Sequence, residues 1–430
     1  MEKLLTEANT LDRQDGLAGF RERFHFPAHR DGQDLVYLCG HSLGLQAKSV
    51  PAVIQDELDA WRERAVRGHF EGPRPWMEYN RRLSESLSGM VGSRPAEIVV
   101  MNTLSVNLHL MMVSFFRPRG NRRKILIEQH AFPSDRYAVQ SQLRFHGLDP
   151  EQDLVELGPA EGGHLVGEST VEDYLRAHGE DIALVLWPGV QYITGQAFNL
   201  EQIARAARSA GACVGFDLAH QVGNVPVELH DSGCDFAAWC HYKYLNAGPG
   251  AVAGAFVHEK HHHTTNLPRF NGWWGNAQQS RFRMAHDFEA ELGADAWQIS
   301  TPLLLSMAPL RASLELFDEA GLQRLRAKSV AMTAFLIGGI HQYLHDLLEI
   351  ITPLEPERRG SQLSLRVRSG RTDGRALFEY LEANGVLTDW REPDVIRVAP
   401  VPLYNNFRDC FELLRVIGEW TAVTGSRSCP

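Results

Sequence analysis

Gly215-Phe216-Asp217-Leu218-Ala219-His220 is followed, after one short interval, by Trp239-Cys240-His241-Tyr242-Lys243-Tyr244. Each segment closes an apolar run, Ala212 to Phe216 in the first and Phe236 to Trp239 in the second. Such runs, short and bounded by polar residues, suit buried strands. One run ends in an aspartate and the other leads to a lysine among aromatics. Working outward, further strand-like runs lie at Ile98–Met101, Ile125–Ile127, Ile182–Trp187 and Ala251–Val257. Helical spacing separates several of them, as at Leu104–Phe116 and Glu201–Ala210; Val50–Arg67 also reads as helix. Alternation of buried strands with helices predicts an α/β fold, a mostly parallel central sheet sandwiched by helices. In open sheets of this kind ligands sit beyond the carboxyl ends of the strands, where Asp217 and Lys243 fall.

The pattern changes near Pro302. Helical periodicity runs from about Leu303 to Leu347, followed by strand candidates at Leu348–Ile351 and Gln362–Val367. A helix (Gly374–Asn384), a strand pair (Val386–Thr388 with Val395–Val398) and a last helix (Arg408–Val423) complete a smaller α+β domain. The expected division is residues 1–45 packing near the small domain, 46–302 as the large domain and 303–430 as the small one. A chain of 430 residues exceeds one simple core, which agrees with two domains.

Composition narrows the partners. A formal charge of −10 gives no broad attraction to nucleic acid or anionic lipid. The basic run Arg117 to Lys124 holds Pro118 and Gly120 and no aromatic for base stacking, so it reads as a solvated loop. Six scattered cysteines without a C-x-x-C pair argue for a reducing compartment. The N-terminus has the pattern of no signal peptide, and no apolar run reaches the ~20 residues that cross a bilayer. A cytoplasmic enzyme acting on a small molecule is the expectation, with neither nucleic acid nor membrane as partner.

The Asp217 and Lys243 pair has a definite chemical meaning. Pyridoxal 5'-phosphate (PLP) needs a carboxylate to keep its ring nitrogen protonated and an amine to hold its aldehyde covalently. Other residues then gain a context. Thr103-Leu104-Ser105 opens a helix, where free N–H groups attract a phosphate, although Thr103 could equally be an ordinary cap. Within His130-Ala131-Phe132-Pro133-Ser134-Asp135, an aromatic could lie on the ring while Ser134 and Asp135 hydrogen-bond nearby. His220 could stack on the cofactor, and Tyr242 could touch the phosphate or move a proton. Arg397 would make a good fork for a substrate carboxylate. Ser42, His69 and the pair Trp273-Trp274 are polar or aromatic groups in unusual settings. The run His261-His262-His263 lacks fixed ligand geometry, so no metal is expected.

Taken together these motifs resemble kynureninase, a PLP-dependent hydrolase of fold type I, the aspartate-aminotransferase fold. The specific segments are Phe132-Pro133-Ser134-Asp135, Gly215 to His220, and His241 to Gly248. Leu104 to His109, Tyr192 to Gln196 and Arg397 to Tyr404 also match. The resemblance implies a homodimer with shared active sites and cleavage of L-kynurenine or its 3-hydroxy form to an anthranilate and L-alanine. It implies Lys243, Asp217 and Tyr242 as catalytic residues. It implies Leu104, Ser105, Phe132, Pro133, Ser134, Asp135 and His220 around the cofactor, with Trp273 and Thr301 reaching it from the second subunit. Ser42, His69, Trp274 and Arg397 would contact substrate. His41, Pro188, Thr301 and Trp274 depart from residues common in the family. The resemblance also suggests tryptophan catabolism or NAD biosynthesis as the setting. Another fold-type-I enzyme, such as a cysteine desulfurase, is the alternative; it needs a cysteine on a loop, whereas Cys410 and Cys429 come late in the chain.

Overall fold

The computed structural model describes residues 1–264 and 266–425; Cys429 lies outside them. Thirteen strands are present among the described residues. The first is β1 (Val36–Tyr37). The next seven build the large sheet: β2 (Ile98–Val100), β3 (Lys124–Glu128), β4 (Leu154–Leu157), β5 (Ile182–Pro188), β6 (Cys213–Asp217), β7 (Phe236–Trp239) and β8 (Gly254–Val257). The last five are β9 (Leu348–Ile350), β10 (Leu363–Val367), β11 (Val386–Leu387), β12 (Asp389–Arg391) and β13 (Val395–Val398).

The large sheet has the order β2-β8-β7-β6-β5-β3-β4. Pairing is parallel from β4 through to β7, and β8 runs against both of its neighbours. β6 and β7 are buried along most or all of their length, which is why they read as continuous apolar runs rather than alternating ones. Helices Leu104–Phe115, Pro133–Phe145, Glu168–His178 and Leu200–Ser209 make the crossovers. One apolar cluster, with Leu126, Val185, Val214 and Phe216, lies on one face of the sheet. A second, with Ile125, Leu184, Phe115 and Trp297, covers the other. The chain leaves β3 toward β4 and leaves β5 toward β6, so the order reverses between β3 and β5. That crevice is where an open α/β sheet binds ligands.

The small sheet has the order β12-β13-β10-β9 and is antiparallel throughout. The expected pairing of Val386–Thr388 with Val395–Val398 does not occur. β11 pairs in parallel with β1 instead, and the partner of β13 is β12, two residues farther along. Residues 386–391 pass from one sheet to the other, so a single strand reading of that run could not place them both.

The first 45 residues divide between the two cores. Leu4 and Ala8 of the helix Glu2–Gln14 join the small-domain cluster, and Asp12 accepts the backbone N–H groups of Phe407 and Arg408 at the start of the last helix. Leu17, Phe20 and Phe24 join the large cluster. Helix Leu304–Ala320 also packs into the large cluster, through Met307, Leu310, Leu314 and Phe317. Cluster membership changes over within the next helix, between Leu325 and Met332. An expected break after residue 302 therefore precedes a helix that completes the large core.

The parallel core leaves no room at Gly215. It faces Phe236 on β7, and a Cβ there would meet the Phe236 ring at 2.0 Å. Gly215→Ala is expected to lower stability by about 1–3 kcal/mol, the usual cost of overpacking. Gly418→Ala, in a helix with open space around it, should change it by less than ~1 kcal/mol. Urea midpoints at unchanged slope measure both.

Candidate active site

The carboxyl ends of five strands and the elements after them enclose one cleft. Glu128 ends β3, and Phe132, Ser134 and Asp135 follow it. Pro188 ends β5, and Val190 and Tyr192 follow. Asp217 ends β6, with Ala219 and His220 beyond. Tyr242 and Lys243 come from the loop after β7, and Thr103, Leu104 and Ser105 come after β2. The register seats Asp217 between Pro188 on β5 and Ala238 on β7.

Asp217 is fixed from below by the backbone N–H of Ala219, which donates to its Oδ1 at 2.7 Å. Asp135, brought up by the helix Pro133–Phe145, shares a hydrogen bond with Asp217. Burial raises the Asp135 carboxyl well above the carboxylate range, and the adjoining Asp217 charge adds to this. Asp135 is therefore the protonated member and donates to Asp217. Lys243 Nζ lies 3.0 Å from His220 Nε2. Burial, with the Lys243 charge next, pushes His220 well below its ordinary range, so the neutral ring accepts from the amine. His220 Nδ1 is buried without a partner.

The backbone around Lys243 is tightly held. The Gly44 N–H donates to the Tyr242 carbonyl at 2.8 Å, and a Cβ on Gly44 would stand 2.5 Å from the Lys243 carbonyl. Only glycine permits that approach. The Gly40 to Gly44 segment thus docks on the lysine loop. Tyr242 is half-buried, and burial raises its phenol, which stays protonated at neutral pH.

At the other end of the cleft, Thr103 is the N-cap of the helix Leu104–Phe115, yet its side chain makes no capping bond. The first-turn N–H groups and the Thr103 hydroxyl remain available to an anion. Ser105 Oγ and Ser134 Oγ lie 2.6 Å apart beside them. The phenyl ring of Phe132 stands 5.8 Å from Lys243 Nζ and meets Tyr192 edge-on. The donor set fits PLP: a carboxyl pair for a protonated ring nitrogen, an amine for the aldehyde, and a helix start for the phosphate.

Seven of the sequence candidates lie off this cleft. Arg397 is 1% exposed and sits behind its wall, donating to the Tyr192 carbonyl at 2.7 Å. Ser42 Oγ lies beside it at 3.1 Å. His69 packs edge-on against Trp76. Trp273 is 45% exposed and Thr301 is exposed, whereas Trp274 is buried under the Arg281 guanidinium. Pro133, which begins its helix, is exposed and outside the lining.

Two lining residues, Glu128 and Val190, carried no signal in the sequence, and Tyr192 entered only as the start of a matching segment with no role attached. Glu128 lies one residue beyond the expected end of its strand. It is buried, its Oε2 has no hydrogen-bond partner, and burial pushes its carboxyl up to about 8. Val190 and Tyr192 sit in a turn whose place depends on the far sheet. The histidine run turns its rings to separate partners, His261 to Asp235 and His262 to the Val257 carbonyl. A nearby cluster of Glu97, His230 and His258 has its facing atoms engaged in internal hydrogen bonds, from His230 and two backbone N–H groups to Glu97 and from Lys260 N–H to His258. Of the described helices, none is long and apolar enough to cross a membrane.

Comparison with known proteins bears on the fold and the family. Among solved structures, a C-DES mutant with glycine covalently linked to its PLP cofactor aligns with a TM-score of 0.77 at 17% identity, covering 93% of this chain and 99% of that one. A cysteine desulfurase from Thermococcus onnurineus NA1 aligns with a TM-score of 0.74, also at 17% identity, covering 90% and 95%. At such identity the fold alone is shared, and it is the α/β fold expected from the strand pattern. Residues 325–417 match the model of the kynureninase C-terminal domain. The kynureninase of Xanthomonas campestris pv. campestris (strain B100) is 56% identical over 417 residues, 97% of this chain and 98% of its own. That of Stenotrophomonas maltophilia (strain K279a) is 54% identical over 418 residues, with the same coverage. The chain belongs to the kynureninase family.

Proposed function

We propose that this protein hydrolyses L-kynurenine, or its 3-hydroxy form, to an anthranilate and L-alanine by cleaving the Cβ–Cγ bond, with PLP as cofactor. The observation that carries the chemistry is the buried carboxyl pair opposite a lysine in the crevice where the strand order reverses. PLP, when bound, supplies an electron sink for the bonds around the substrate Cα. Lys243 would hold its aldehyde and, when free, take and return the proton at Cα. Neutral His220 accepts a hydrogen bond from Lys243 and would hold the amine in place to meet the aldehyde. Asp217 would face the ring nitrogen, with Asp135 supplying the proton that the pair retains. Thr103 to Ser105 would receive the phosphate. Tyr242, protonated at neutral pH, would donate a proton at Cβ. Arg397 would hold the α-carboxylate; burial lowers its pKa to about 10, so it stays a cation.

Desulfurase chemistry has no suitable thiol among the described residues. Cys39, Cys234, Cys240 and Cys410 are buried and Cys213 is half-buried, and burial raises all five thiols.

A second copy of the chain would complete the site. Phe70, Trp273 and Phe282 form an exposed aromatic patch with ring contacts of 5.4 and 5.9 Å, and Thr301 is exposed too. None of them reaches the cleft of its own chain. A homodimer carrying Trp273 and Thr301 across to the partner's cleft accounts for both facts. Cytoplasmic action in tryptophan catabolism or NAD biosynthesis is the accompanying proposal, resting on family membership.

Lys243→Ala should abolish turnover and the borohydride-trapped cofactor, with the label in wild type mapping to the peptide that contains Lys243; a label elsewhere would refute the assignment. Arg397→Ala should lower kcat/KM by roughly 10²–10³-fold, as loss of a buried charged partner does; unchanged kinetics would remove its carboxylate role. Mixing Lys243→Ala with Trp273→Ala subunits should restore part of the activity if sites are shared, and sedimentation should show a dimer. Glu128 gives a pH test. Its folded pKa of about 8 lies above the ordinary 4.5, so its contribution to stability is full below about 4.5 and is lost as pH rises through about 8. In urea titrations wild type should therefore lose stability relative to Glu128→Gln over that window; parallel curves would show that Glu128 is ionised throughout.

A further inference from the structure

The antiparallel register sets Asp389 on β12 directly opposite Arg397 on β13. Residues so placed project to the same face with Cβ atoms about 5 Å apart, so the pairing follows from the backbone. Asp389 Oδ2 accepts from Arg397 Nη2. The same oxygen accepts from Ser42 Oγ at 2.7 Å and from Arg391 Nη2 at 3.1 Å, and His41 Nε2 stands 3.3 Å away. Arg397 thus already carries a carboxylate, although it is the residue assigned to the substrate's.

The surroundings are incompletely satisfied. Arg397 Nε is buried with no acceptor. His41 is fully buried, and neither ring nitrogen makes a hydrogen bond. A buried guanidinium with an idle donor, beside a buried imidazole with two idle nitrogens, is costly unless another arrangement uses them. Asp389 also has somewhere to go: Arg391 and Ser42 hold it without help from Arg397.

We propose that Asp389 is the resident counter-ion of Arg397, which occupies the guanidinium edge and cedes it to the carboxylate of an incoming amino acid while Arg391 and Ser42 keep Asp389 paired. This rests on the reading of Arg397 as the α-carboxylate receptor. Asp389 is a positioning residue that acts through Arg397 by competition. Occupied by Asp389, Arg397 is open to a ligand for only a fraction of the time, and apparent affinity falls by that fraction.

The test is binding to the PLP-loaded enzyme, read by cofactor absorbance, of L-alanine and of L-alaninamide, which replaces the carboxylate by a neutral amide. Asp389→Asn is expected to tighten L-alanine roughly tenfold and leave L-alaninamide within about twofold. A static role in orienting Arg397 predicts the opposite, so weaker or unchanged alanine binding overturns the exchange. Arg397→Ala separates the two levels. If it weakens alanine while Asp389→Asn fails to tighten it, only the exchange is lost. If it leaves alanine unaffected, the receptor reading falls and the exchange with it. Should Asp389→Asn not fold, Arg391→Ala decides. It removes the cation that keeps Asp389 paired, so alanine should weaken severalfold with alaninamide unchanged, and equal loss of both or no loss overturns the proposal.

Discussion

Two carboxyl groups that share one buried hydrogen bond cannot both be ionised, and the architecture of the site follows from that constraint. Asp135 and Asp217 arrive from different elements, one at the start of a helix after β3 and the other at the end of β6. Bringing them together without solvent forces a proton onto the pair. A cation facing the pair relieves the cost, which is why a protonated ring nitrogen suits the place. Lys243 and His220 show the converse arrangement: the amine has a neutral ring for a partner and no carboxylate, which leaves it free for covalent work. Such unfavourable groupings persist where the scaffold is rigid, and here three parallel strands with buried ends supply that rigidity.

The local part of this arrangement was legible in the sequence. Asp217, Lys243, Tyr242, His220 and the Thr103 helix start all sit at ends of apolar runs, and strand ends are what periodicity reveals. The Phe132 to Asp135 segment was legible as the residues that follow the Ile125–Ile127 run, but the helix Pro133–Phe145 that carries Asp135 into the cleft was not read from it. Glu128 escapes because the apolar run stops at Ile127, and a glutamate after an apolar run reads as solvent-facing. Its burial is a property of Gln191 and the neighbouring strand, far away in sequence. Asp389 escaped for a topological reason. Its meaning depends on the β12–β13 register, whereas the sequence pattern pairs Val395–Val398 with Val386–Thr388.

The aromatic pair Trp273-Trp274 shows another limit. Adjacent tryptophans look alike in a sequence, yet one is capped by Arg281 and the other left exposed. Which is core and which is surface depends on Arg281 packing back onto its own loop, a contact no local spacing encodes. The exposed one joins Phe70 and Phe282 in the patch on which the proposed dimer contact rests.

The turn Tyr192-Ile193-Thr194 joins the local site to the distant sheet. Its backbone carbonyls accept from Arg397, from Gln362 Nε2 at 3.0 Å, from Ser364 Oγ and from Thr352 Oγ1 at 2.5 Å. All four donors belong to the small-sheet region, while Tyr192 itself lines the cleft of the large one. A loop in this position would otherwise bury unpaired carbonyls, so the small sheet is what allows the turn to approach the cofactor site. The carboxylate recognition proposed for Arg397 therefore falls on the seam between the two cores. Any ligand that draws Arg397 away from Asp389 acts on the same guanidinium that braces Tyr192, and Tyr192 in turn packs against Phe132 over the lysine.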